Sequence, residues 1–256
     1  MNRVKFTLLS AGFVLAMALT FSCSSDDDGG GGGGNGGGDG GSVAYEGQTY
    51  KTVKIGTQTW FAENLNYAVE GSKCFGEGGG VLIGYDEDGN PITETLSPAE
   101  VQANCDTYGR LYDWVTVMGL PSSCNGEAFQ PNSCLSQIQP KHRGICPSGW
   151  HIPSDDDFEV LVTVVGGENY IAIKATSGWN ENGNGTDEFG FSALPGGFGS
   201  SGGLFGIVGY CGYWWSANEH YVSVSYEPLT LRYCEPARWY YNRKSSLFSV
   251  RCVKDN

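Results

Sequence analysis

Positive charge is what this sequence has least of. Lys and Arg number 15 against 28 Asp and Glu, a formal net charge of −13 over 256 residues. That balance excludes an electrostatic nucleic-acid binder, which needs a basic face for the phosphates. Histidine is scarce: His142, His151 and His220 stand apart, and none belongs to an H-E-x-x-H or similar metal pattern. No cysteine pair has the C-x2-C spacing of a structural zinc site. There is no G-x-S-x-G elbow, and glycine-rich stretches such as Gly196–Gly206 lack a phosphate-binding Lys-Ser/Thr. The apolar run Phe6–Phe21 has 16 residues, fewer than the roughly 20 of a spanning helix.

Glycine and aromatics are abundant: 40 Gly, with 7 Trp, 14 Tyr and 12 Phe. Much of the glycine is local, since 11 of the 13 residues from Gly29 to Gly41 are Gly. Ahead of it, Arg3 and Lys5 precede the apolar run, which ends in Thr20-Phe21-Ser22-Cys23. This resembles a bacterial lipoprotein signal, in which the cysteine is lipidated and becomes the first mature residue. A plain secretory signal with an incidental cysteine is the alternative. Residues 1–22 are read as the signal, and 23–42 as a disordered Asp/Gly-rich tether with too little apolar surface to offset its ordering entropy. As a flexible coil, 29–42 reaches about 20 Å. Asp26-Asp27-Asp28 after the lipidated cysteine resembles a signal for the outer face of the outer membrane; a spacer facing the periplasm is the alternative. The expected partner of this end is the membrane, through a lipid anchor on Cys23.

Within the body, Val43–Val53 alternates around Glu46-Gly47 and predicts a β-hairpin, with strand character continuing through Thr57–Phe61. Gly80–Pro91 reads as a loop with Asp86–Asn90 as its turn. Ser97-Pro98-Ala99-Glu100 is a helix start, and the helix is expected to run through Val101 and Tyr108 towards Trp114 and Met118. A second helix has Ser154 as cap, Asp155–Asp157 in its first turn, and Phe158, Leu161, Val162 and Val165 on one face, stopping at Gly166-Gly167. His151, at a strand-to-helix junction, is read as a structural hydrogen-bonder before a general base. From Phe189 onward, short aromatic and β-branched runs broken by glycine predict a strand- and loop-rich half.

The strings 53–67, Gly109–Trp114, Cys146–Ser154, Phe189–Gly197, Tyr213–Ala217 and Ser249–Val253 resemble, in order, the Fibrobacter succinogenes major paralogous domain family, over residues 43–256. Two of them are more faintly similar to formylglycine-generating enzymes within the C-type-lectin-like folds. The resemblance implies an α+β, C-type-lectin-like domain: two main helices, short mostly antiparallel sheets and long disulfide-stapled loops.

With Cys23 lipidated, eight of the nine cysteines remain, an even number in an exported chain, which favours disulfides. Cys146 opens the central helix motif and Cys252 lies in the last strand, so these are paired. Cys124 and Cys134 flank a short polar loop and form a local clip. Cys74 and Cys105 bracket the 80–91 insertion, and Cys211 and Cys234 pair by elimination.

Two segments carry recognition chemistry. In 180–188, Asn180, Asn182, Asn184 and Asp187 concentrate oxygen ligands among glycines, which suits a hard cation such as Ca2+; a polar loop with Asx turns is the alternative. No other cofactor is expected. Between Tyr210 and Tyr241 lie ten aromatics in 32 residues. Of these, Tyr233, Trp239, Tyr240 and Tyr241, with Arg232 and Arg238 alongside, are expected to form an exposed recognition surface. Trp214 and Trp215 are expected in the core. Three functions follow as expectations: a surface-anchored binding or adhesion module for polysaccharide or another macromolecule, a lectin-fold enzyme related to the formylglycine generators, or a structural envelope protein. The first is preferred, with no enzyme activity expected.

Overall fold

The computed structural model describes residues 40–125, 134–167, 170–222, 225–233 and 238–256, with backbone only at 135 and from 220 to 241 within those ranges. It is a mixed α+β domain with few helices, three small sheets and several disulfides. No helix among the described residues is long and apolar enough to cross a membrane.

The first sheet ties distant parts of the chain together. β1 (Ser42–Tyr45) and β2 (Gln48–Ile55) form the expected hairpin. Glu46 and Gly47 both have positive φ, 46° and 77°, as a tight two-residue turn between right-twisted strands requires. β3 (Gln58–Phe61) pairs with β2, and β12 (Val253–Lys254) then lies between β3 and β6 (Trp150–His151). Val253 is thus in register with Trp60 on one side and His151 on the other.

Two sequence expectations need correction here. Gly80–Pro91 is not simply a loop: β4 (Gly80–Tyr85) and β5 (Pro91–Glu94) form a hairpin around the Asp86–Asn90 turn. The Asp86 carboxylate accepts from the Asp88 and Asn90 amides and closes that turn. β4 also pairs in parallel with β8 (Leu204–Gly206), which pairs with β7 (Phe198–Gly199). Nor does one helix run from Pro98 to Met118. α1 (Pro98–Tyr108), with its Ser97/Glu100 capping box, stops at Gly109, and α2 (Trp114–Met118) starts afresh on an Asp113 cap. Gly109 has φ 74°, and a Cβ there would come within 2.8 Å of the Leu65 carbonyl oxygen, so the chain turns where only glycine fits.

α3 (Asp155–Val164) follows the reading closely, with Ser154 as cap and positive φ at Gly166 and Gly167 beyond it. It buries Phe158, Leu161 and Val165 against Trp60, Phe191 and Trp214. A larger core on the other side of β3 and of β9 (Gly212–Val222) holds Phe61, Tyr112, Trp114, Trp215, Phe248 and the Cys146–Cys252 disulfide.

The third sheet is a ribbon of β9 (Gly212–Val222), β10 (Ser225–Tyr233) and β11 (Arg238–Tyr241), all antiparallel. β10 is its middle strand, and Pro228 cannot donate to the ladder; the register shifts between Pro228 and Thr230 accordingly.

Candidate functional site

The motif residues gather first around a buried guanidinium. Arg251 is fully buried and donates from Nε to Asn64 Oδ1 at 2.9 Å and from Nη2 to the Ser192 carbonyl at 2.7 Å. Nη1 reaches the Phe191 and Phe61 carbonyls, and the guanidinium lies 4.3 Å from the Phe191 ring centroid. Asn64 Oδ1 also accepts from Trp214 Nε1 at 2.8 Å, while its amide nitrogen donates to the Tyr108 carbonyl and Ser249 Oγ. Four of the six motifs therefore meet at one polar knot inside the core. A planar fork with five donors suits such a site, because each displaced water bond is replaced by a carbonyl or amide oxygen.

His151 forms a second knot. It is 2% exposed, with Nδ1 2.6 Å from Asp255 Oδ1 and Nε2 3.2 Å from Asp157 Oδ2. Asp157 closes the α3 capping box by accepting from Ser154 N and Oγ, and its Oδ1 accepts from Gln58 Nε2, whose Oε1 accepts from Trp60 Nε1. Burial pulls the His151 pKa down, yet hydrogen bonds and charges from Asp157 and Asp255 outweigh it and raise the value above 6.5. Burial likewise opposes ionisation of Asp157, but hydrogen bonds from His151 and Ser154 hold its pKa at about 2. Both ring nitrogens are occupied, so His151 acts as a charged tie between β6, α3 and the segment after β12.

An open cleft of about 270 Å3 lies where 138–142, the start of α3 and the middle of β9 meet. Its wall at 138–142 is fixed by His142: Nε2 donates to the Met118 carbonyl at 2.7 Å, and Nδ1 accepts from Gln139 N at 3.3 Å. On the β9 side, Asn218 Oδ1 accepts from Asp155 N at 3.0 Å, and the Ser216 hydroxyl donates to the Asp155 carboxylate. Glu219 ends this wall with a side chain only 4% exposed, ion-paired to Lys244. Lys244 donates to the Cys124 carbonyl at 3.2 Å and lies 5.0 Å from the Trp114 ring centroid. A smaller cleft of about 180 Å3 lies between β2, 63–66 and the end of α1.

The sequence did not single out Gln139, Asn218, Glu219 or Lys244. They come from three segments with no local pattern, and only tertiary packing unites them.

The other expected sites are placed as follows. Cys74–Cys105, Cys124–Cys134 and Cys146–Cys252 are disulfides with sequence separations of 31, 10 and 106. Cys211 is also disulfide-bonded; its expected partner Cys234 lies outside the described residues, as does Cys23. In 180–188, the oxygens turn inward: Asn184 Oδ1 accepts from Trp179 N at 3.0 Å, and the Asp187 carboxylate accepts from Ser192 N at 2.7 Å and from the Ser192 hydroxyl. Asn180 closes the turn through its backbone, accepting from Gly183 N and donating to the Gly209 carbonyl, and Asn182 takes a left-handed φ of 60°. Among the described residues, no group of three or more His, Cys, Asp or Glu is placed to hold a metal ion. Arg232 is in register with Arg238 and with Tyr213, Tyr233 with Gly212, and Trp239, Tyr240 and Tyr241 with Leu231, Thr230 and Leu229. The side chains of this expected surface lie outside the described residues. Trp214 and Trp215 are in the core, 1% and 0% exposed.

No curated protein and no solved structure matches the chain. Residues 53–254 match the family model of the Fibrobacter succinogenes major domain, a span that includes the Arg251 knot, all of the His151 knot except Asp255, the cleft, and the Cys74–Cys105, Cys124–Cys134 and Cys146–Cys252 disulfides. The chain belongs to the Fibrobacter succinogenes major domain family.

Proposed function

We infer that this protein is a surface-anchored lipoprotein whose folded body is a C-type-lectin-like binding or adhesion module for polysaccharide or another macromolecule. The observation that carries the reading is the 270 Å3 cleft beside β9, lined by the Gln139 and Asn218 amides, Lys141, Glu219 and apolar side chains, with His142 and Ser154 at its wall already hydrogen-bonded within the fold. The reactive groups nearby are committed elsewhere. His142 and His151 have both ring nitrogens engaged, and all seven described cysteines are in disulfides. Those disulfides fit an exported, oxidising setting, which agrees with the signal-like 1–22 segment and lipidation at Cys23. Small sheets, two main helices and disulfide-held loops support the lectin-like reading of the fold. The lipid anchor places the body at the outer membrane, facing the exterior on its glycine tether.

The test is a glycan array and an insoluble-cellulose pull-down with the mature chain carrying Cys23→Ala. Saturable retention on at least one polysaccharide is expected. Failure to bind any glycan or envelope macromolecule would leave the structural coat reading in its place. In cells, Cys23→Ala should release the protein from the membrane fraction, and protease shaving of intact cells should remove the native form.

A further inference from the structure

The β4–β5 hairpin leaves the body of the fold. Its base is held by Val81 and Leu96 against Phe75 and Phe205, and β8 pairs only with Gly80 and Val81. From Tyr85 to Thr95 every residue is exposed. Ile83, Tyr85 and Ile92 are 57%, 64% and 44% exposed, so this one ribbon concentrates large apolar side chains in water. A two-stranded ribbon is marginal by itself, and apolar surface gathered on one points to a partner that covers it.

The shape of the ribbon selects how a partner would dock. β5 is the outer strand of its sheet, and all four of its residues are exposed. An outer strand offers backbone donors and acceptors to a further strand. Paired residues share a face and successive residues alternate, so Tyr85 and Pro91 lie on one face and Ile92 on the other. A flat surface could cover only one of these faces. A strand laid beside β5 touches both, because its own side chains alternate in the same way.

Charge selects the strand. Between Cys74 and Gly109 the chain has seven acidic residues and no Lys or Arg. Asp86, Glu87 and Asp88 are exposed at the hairpin tip, and Glu94 is exposed on the same face as Ile92. A second copy of this chain would bring like charges together, and Pro91 takes one donor out of the edge; both discourage pairing between copies. A strand with an apolar residue opposite Ile92 and a Lys or Arg two places along, opposite Glu94, answers both side chains. Further basic residues would face the acidic tip.

We propose that β5 accepts an added strand from a basic polypeptide partner, an extended segment with apolar and Lys or Arg residues alternating along one face. This surface shares no residue with the cleft beside β9, and the proposal goes beyond the binding-module reading without depending on it.

The probe is a fluorescein-labelled peptide repeating Val-Thr-Lys-Thr, titrated into the mature Cys23→Ala chain at physiological ionic strength and followed by anisotropy. Saturable binding is expected, with slowed hydrogen–deuterium exchange in the fragment that carries β5. A peptide repeating Val-Thr-Glu-Thr should not bind, nor should a basic version with Pro for every Thr, which cannot form a regular ladder. Ile92→Thr should weaken binding of the basic peptide about tenfold. Glu94→Lys should weaken it as much and admit the acidic peptide instead. Both side chains are exposed, and near-UV circular dichroism checks that the fold is kept. No saturable binding, equal binding of the proline version, or affinity unchanged in both variants overturns the proposal. Loss of polysaccharide retention in Ile92→Thr without any peptide binding also overturns it and assigns the hairpin to a glycan. Neither variant touches the cleft, so the glycan array tests that reading separately.

Discussion

Nδ1 of His151 lies 2.6 Å from Oδ1 of Asp255, joining β6 to the residue after β12. Asp157 holds the other ring nitrogen, so one imidazole spans two carboxylates from opposite directions. The stability this contributes has a defined pH window. The His151 pKa is raised above 6.5 in the fold, so its contribution is complete below that value and declines as pH rises through the folded pKa. The Asp157 pKa falls from 3.8 to about 2, so its contribution is complete above 3.8 and declines as pH falls towards 2. Melting temperature should therefore be highest between about pH 4 and 6.5 as far as this clamp is concerned. His151→Asn should flatten the alkaline decline, measured by thermal melts across pH; an unchanged slope would mean the clamp adds nothing.

The Arg251 knot makes a sharper mutational prediction. Arg251→Lys keeps the charge but loses the fork that reaches Asn64, Ser192 and Phe191 together. Taking the guanidinium donors away from these buried oxygens should cost about 3 kcal/mol or more. Asn64→Ala removes the oxygen that accepts from both Trp214 Nε1 and Arg251 Nε and should cost a similar amount. Because the two residues share a hydrogen bond, the double variant should lose less than the sum of the singles, which urea unfolding would measure.

How far the fold could be read from sequence depended on whether the signal was local. The β1–β2 turn and α3 were legible because Glu46-Gly47 and Ser154–Asp157 carry their own turn and cap chemistry. The break between α1 and α2 was not, because what forbids a side chain at Gly109 is the Leu65 carbonyl, 44 residues away. β4 was hidden because Val81-Leu82-Ile83 is a short run beside many glycines, and its parallel partner β8 lies beyond residue 200. His151 could be placed as structural from its junction position, but Asp255 could not be named as its partner. The cleft was illegible for the same reason: Glu219 and Lys244 meet only after β9 and the later chain pack on α2.

The disulfides should differ in worth by the length of chain they close. In the chain-entropy account, Cys146–Cys252, with a separation of 106, contributes about 4.7 kcal/mol, and Cys124–Cys134, with a separation of 10, roughly 3 kcal/mol. The paired Ser variants should rank in that order by denaturant midpoint, with the 146/252 pair the more damaging because both cysteines are fully buried. Non-reducing peptide mapping should also recover a peptide linking Cys211 to Cys234. Any other partner for Cys211 would break the pairing scheme.

The last prediction concerns the 180–188 loop. Calcium would need its oxygens, yet Asn184 gives Oδ1 to Trp179 N, and the Asp187 carboxylate takes both Ser192 donors. Ser192 has a positive φ of 52°, and Asp187 holds it there from both its amide and its hydroxyl. The carbonyl of that same Ser192 accepts from Arg251 Nη2, so the loop anchors one side of the buried knot. On this geometry the loop needs no ion to hold its shape. Adding calcium or EDTA should leave the melting temperature unchanged, whereas Asp187→Ala should destabilise the fold by about 1–3 kcal/mol through the two lost acceptors. A calcium-dependent rise in melting temperature that disappears in Asp187→Ala would instead assign these oxygens to a cation, since a ligand that binds the folded state alone stabilises it in proportion to its occupancy.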